Sequence, residues 1–155
     1  MNVRWSAAVL ATLVIWGCDS KEEEKKGGKH EHKPPHQGTL VEFGEEFAHL
    51  ELVLDPATGR LTGYVLDGEA EKPVRVEQKE IVLQVKGKPS EVAVPLQAIG
   101  NSLTGEKPGD TSEFTGQADA LKGRKDFDAV VVDVTVKGKA FKNVEFNYPK
   151  GNEEK

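Results

Sequence analysis

Four histidines carry most of the chemistry that this chain's residue types allow, and all fall between positions 30 and 49 of 155. Three sit close together as His30, His32 and His36; the fourth, His49, is followed two residues on by Glu51. A neutral imidazole nitrogen is a good ligand for zinc, copper and nickel. On a flexible polar stretch, His30 and His32 can bring both rings to one ion, and short His-rich tracts are associated with metal binding. His49 and Glu51 lie in a run that alternates as a strand does, which puts both on the face opposite Leu50 and Leu52. Were His36 to swing over from the threshold of the fold, a His36, His49 and Glu51 set would suit zinc. Water or a tether histidine would complete four-coordination, and copper(II) could use the same nitrogens. A solvated His/Glu pair on a strand's outer face accounts for the same pattern without a metal.

Catalytic patterns are missing. There is no Gly-x-Ser-x-Gly elbow, no Gly-rich phosphate loop and no His-Glu-x-x-His. Asp126 and Asp128 stand at the start of a strand pattern, where they read as edge charges. We therefore expect a protein that is not an enzyme. Charged residues make up 30% of the chain with a formal net charge of −5, and Lys is mixed with Glu and Asp throughout. No basic stripe is left for a nucleic-acid partner.

The elements that must position these side chains begin after a leader. Arg4 gives a basic start, an apolar run extends from Trp5 to Trp16, and Gly17 precedes Cys18, the only cysteine. That order is the layout of a bacterial lipoprotein export signal. It predicts removal of residues 1–17 and lipid on Cys18, which would hold the protein to the membrane on the periplasmic side of the cell envelope. From Asp19 to Gln37 there is no apolar residue, so residues 18–37 read as a lipidated, disordered tether. Pro34 and Pro35 should stiffen its last part into an extended form.

Residues 38–149 alternate as half-buried strands do. Ala48, Leu50, Leu52 and Leu54 form one apolar row, Ile81, Leu83 and Val85 another, and Val92, Val94 and Leu96 a third. Val130, Val132, Val134 and Val136 form a fourth, and Val144, Phe146 and Tyr148 close the series. Turn signals separate the rows, such as Asp55 to Gly59, Asp67-Gly68 and Lys137-Gly138. The stretch from Asn101 to Asp110 reads as a long surface loop, Ser112 to Gly116 as a strand or loop, and Asp119 to Lys122 as one helical turn. This spacing predicts an all-β fold: a single antiparallel β-sandwich of immunoglobulin-like type, with a small barrel as the alternative. Residues 150–155 should fray.

The stretch from His30 through His32, His36 and Gly38, the strand Phe47-Ala48-His49-Leu50-Glu51 and the later Tyr64-Val65-Leu66-Asp67 resemble a group of small bacterial lipoproteins with His-rich leaders. They are also similar to accessory β-domains of metal-efflux periplasmic adaptor subunits of the resistance-nodulation-division type. Gln37 stands where those sequences carry the first of two glycines. The resemblance implies a β-sandwich and periplasmic metal handling; the long helical hairpin and lipoyl-type parts of an adaptor are lacking. Two functions compete on these grounds. One is a membrane-tethered protein that binds zinc or copper through His36, His49 and Glu51, supplied by His30 and His32. The other is an envelope module that docks a protein partner and has no metal role.

Overall fold

The computed structural model describes residues 32–87 and 90–153. Residues 1–17, expected to be an export signal, Cys18 and His30 lie outside the described residues. Eight strands follow in chain order: β1 Thr39–Phe43, β2 Ala48–Asp55, β3 Arg60–Leu66, β4 Glu80–Val85, β5 Val92–Ala98, β6 Glu113–Gln117, β7 Phe127–Val136 and β8 Lys139–Tyr148. A single 3-10 turn, Asp119–Leu121, lies between β6 and β7. The fold is all-β, as the alternation requires. Its strands do not divide into two packed sheets, however. All eight belong to one antiparallel sheet in the order β1-β2-β3-β6-β5-β4-β7-β8, curled until it nearly closes into a barrel. One inward-facing apolar row per strand satisfies a curled sheet as well as it satisfies two facing sheets, so alternation cannot separate the two.

The interior is one cluster drawn from every strand. It includes Val41, Phe43, Leu50, Leu52, Leu61, Val65, Ile81, Leu83, Leu96, Phe114, Val131, Val134 and Phe146. The valine row of β7 departs from expectation. Phe127, Ala129 and Val131 point inward, and then the inward set changes to Val134 and Val136, leaving Val132 38% exposed. Opposite Val132, Asn143 of β8 has φ +52°, and the regular pairing is interrupted between Val131↔Val144 and Asp133↔Lys142. The register is the same on both sides of the interruption, and the face that looks inward switches across it. At its far end Lys137 and Gly138, with φ of +49° and +78°, close the β7–β8 hairpin as a two-residue turn.

The edges β1 and β8 meet at a seam. Phe141 of β8 packs on Phe43 of β1 and on Phe47, with ring centroids 5.5 and 5.6 Å apart. Beyond β8 the chain doubles back, Gly151 bridging to Asn147 through two backbone hydrogen bonds. The Asn152 side chain then takes both backbone groups of Glu42: its Oδ1 accepts from the Glu42 N–H at 2.7 Å, and its Nδ2 donates to the Glu42 carbonyl at 3.1 Å. The tail expected to fray is, as far as residue 153, a cover over the open edge of β1. An unpaired edge presents backbone groups that need partners, and this carboxamide supplies them.

The loop from Asn101 to Asp110 is largely exposed, as expected, but it is fastened by Glu106. That carboxylate accepts from the Ser112 N–H (2.9 Å), the Ser112 hydroxyl (2.6 Å) and the Thr104 hydroxyl (2.6 Å). Burial pushes the Glu106 carboxyl up, but these bonds, with Arg75 beside it, outweigh burial and hold it below the usual glutamate range. A depressed folded value means a stabilising contribution that is complete above the ordinary glutamate range and is lost as pH falls through the lowered value. Glu106→Gln is expected to cost about 1–2 kcal/mol at neutral pH, and to cost nothing once acid has protonated the wild-type carboxyl. Urea unfolding of both proteins at the two pH values checks this; an equal deficit at both would refute it.

Candidate metal centre

The β2 strand is buried on both faces. Ala48, Leu50 and Leu52 enter the core, while His49 and Glu51 point to the outer face and are nonetheless fully buried. The cover is chain from outside the regular strands: residues 32–38 on one side and residues 150–153 of the tail on the other. Pairing of β1, β2 and β3 sets the outer face in rows: Leu40, Glu51 and Tyr64 in one, and Glu42, His49 and Leu66 in the next.

The first row anchors residues 32–38. Glu51 Oε1 accepts from the His36 N–H at 2.7 Å and the Gly38 N–H at 2.9 Å, and His36 Nδ1 lies 2.7 Å from Glu51 Oε2. The His36 ring stacks on Tyr64 at 3.8 Å and 11°. Burial first, then the nearby Glu113 and Glu51 carboxylates, push the Tyr64 hydroxyl up. Gly38 is required by close approach: a Cβ there would stand 2.6 Å from the Leu52 carbonyl oxygen and 2.8 Å from Glu51 Cγ. Pro35 does not continue an extended run but enters a turn. The Gln37 N–H donates to the Pro34 carbonyl at 3.1 Å, a turn that lays the chain back over β2, and Gln37 itself takes φ +60°.

The second row holds a different constellation. His49 Nδ1 lies 3.1 Å from the Asp67 backbone carbonyl, which can only accept, so Nδ1 carries a proton and donates it. In the neutral ring Nε2 is then the lone-pair nitrogen, and it faces Glu153 Oε1 at 3.5 Å. His32 Nδ1 lies 3.5 Å from the same oxygen, and the two imidazoles meet edge to face at 4.8 Å. The ligand atoms of His32, His49 and Glu153 all lie within 4.8 Å of one another. His49 Nε2, both nitrogens of His32 and Glu153 Oε1 are buried and have no hydrogen-bond partner. Leaving such groups unpaired costs about 1–3 kcal/mol each.

A metal ion held by one atom from each residue would remove most of that cost. Zinc ligands stand about 2.0–2.2 Å from the ion, so neighbouring tetrahedral ligands are about 3.3–3.5 Å apart. The two 3.5 Å separations here match that edge and are too long for good hydrogen bonds. The Nδ1–H bond to a backbone carbonyl is the support that a ligating imidazole usually has. This group could hold a metal ion.

The expected residues are thus redistributed. His32 and His49 come together, but among the described residues the group within ligand reach contains neither His36 nor Glu51. Those two are engaged with each other, and same-face neighbours on a strand stand roughly 7 Å apart, too far for His49 and Glu51 to converge easily. Glu153 was missed. It follows His49 by 104 positions (153 − 49) in a short polar tail with no spacing signal. Comparison with protein-family models, with curated proteins and with solved structures gives no match.

Proposed function

We propose that this chain is a lipid-anchored protein of the bacterial cell envelope that binds one transition metal ion, zinc or copper(II), and catalyses no reaction. Binding is through His32, His49 and Glu153. The observation that carries this reading is the convergence of three ligand atoms, one each from His32, His49 and Glu153, on the β2 outer face, with no hydrogen bond among them. Groups of this kind are normally satisfied in a folded protein, and the donor types select a borderline metal over magnesium or calcium. The anchor rests on the order Arg4, apolar run, Gly17, Cys18.

Calorimetric titration of the full chain in detergent, with Cys18→Ser removing the only thiol, tests it. Zinc or copper(II) should saturate one site with a Kd of about micromolar or tighter. Magnesium and calcium should give no heat, and Glu153→Gln should weaken the site. Tight binding that ignores Glu153→Gln but disappears with His30→Ala plus His36→Ala would instead assign the metal to the leader. Absence of binding would leave the tethered interaction module as the reading.

A further inference from the structure

We infer that the metal is a clasp that closes the barrel seam. The inference rests on the metal-binding reading above and concerns what binding does to the fold. The three ligands come from three separate pieces of chain. His49 sits on the regular sheet, in the middle of the β1-β2-β3 hydrogen-bonded row. His32 belongs to residues 32–38, which are otherwise held mainly through Glu51. Glu153 belongs to the tail, which is otherwise held by Gly151 on Asn147 and by Asn152 on the backbone of Glu42.

That last contact couples the site to the seam. Glu42 and His49 are directly opposite in the β1–β2 register, and Asn152 occupies the free edge of Glu42. Gly151 lies so close to β1 that a Cβ on it would fall 2.3 Å from the Leu40 carbonyl oxygen. An ion shared by His49 and Glu153 therefore pulls the tail onto β1 across the opening between the first and last strands. It pulls residues 32–38 down on the same row from the other side. Without the ion, the same packing buries three ligand atoms that make no hydrogen bond and meet only at 3.5 Å, which favours local release of both coverings over global unfolding. Metal occupancy and seam closure are two readings of one equilibrium, as expected when a ligand set is assembled from separate segments.

Hydrogen–deuterium exchange on the full chain with Cys18→Ser in detergent, with EDTA or with zinc, tests the clasp, and calorimetry on the same samples reports binding separately. Zinc should slow exchange at least about tenfold in peptides covering residues 32–43 and 147–153, and leave β4 and β5 nearly unchanged. Glu153→Gln should abolish the slowing in the tail peptide. One-to-one zinc binding with no change at the seam overturns the clasp and leaves the metal site standing. Wild-type slowing of the tail in Glu153→Gln also overturns it. No zinc binding by calorimetry removes the metal reading on which the clasp depends.

Discussion

Replacing His49 with alanine is expected to reduce zinc affinity by about a hundredfold or more. Loss of a partner that merely orients a metal-binding histidine costs about 10- to 100-fold, and His49 would be a ligand itself. It is also the only one of the three ligands on the sheet, so no neighbouring segment can shift to replace it. The loss should appear in thermal unfolding as well. Zinc at a hundred times its Kd stabilises a protein by about 2.7 kcal/mol, and that increment should vanish in the variant. The metal-free stability should also fall, by about 1–3 kcal/mol, because the fully buried ring donates to the Asp67 carbonyl, so the zinc-dependent increment is read against the metal-free variant. His36→Ala provides the contrast: it leaves the three ligands in place and acts only through the docking of residues 32–38. A zinc affinity more sensitive to His36→Ala than to His49→Ala would relocate the site to the His36/Glu51 pair.

Glu51→Ala should be the most damaging single change to stability outside the apolar core, at about 2–4 kcal/mol. The carboxylate is fully buried, and both of its oxygens are engaged by residues 36–38. Hydrogen bonds to a charged group are worth about 1.5–3 kcal/mol, and truncation leaves backbone donors of His36 and Gly38 without their acceptor. Part of that loss is relieved if residues 32–38 lift away into water, which sets the upper limit. Glu51→Gln retains an acceptor oxygen and should cost less, about 1 kcal/mol. Because His32 is carried on the same segment, Glu51→Ala should also weaken zinc binding about tenfold, as loss of a supporting interaction does. Urea unfolding with and without zinc measures both effects. A variant as stable as the wild type would mean that residues 32–38 contribute nothing to the fold.

Much of the architecture is legible along the chain. Alternation at Ala48 to Leu54, Ile81 to Val85 and Val92 to Leu96 marks real strands with those residues inward, and Asp119–Leu121 forms the expected single turn. At Val132 the same reasoning fails, because the inward parity changes opposite Asn143, whose positive φ an asparagine tolerates but does not by itself announce within an otherwise regular alternation. The candidate site shows the same division. The face shared by His49 and Glu51 is readable from a period of two. That the face is covered is not readable, because its covering is irregular chain, residues 32–38 and 150–153, without any hydrophobic period.

What the sequence determined by itself is therefore local and chemical. It set the strands through alternation, the turns through glycine and aspartate, and two of the three metal-capable donors, His32 and His49, through the clustering of histidine before position 50. The tertiary structure decided whether the strands form one sheet or two, because either arrangement buries one face of each strand. It also decided which donors meet. His49 meets His32 and Glu153, and Glu51 meets His36, because antiparallel pairing fixes the rows of the outer face, residues 32–38 cross both rows and the tail reaches the His49 row. Proximity in sequence brings side chains within reach of one another; only the register and the route of the chain ends determine which of them converge.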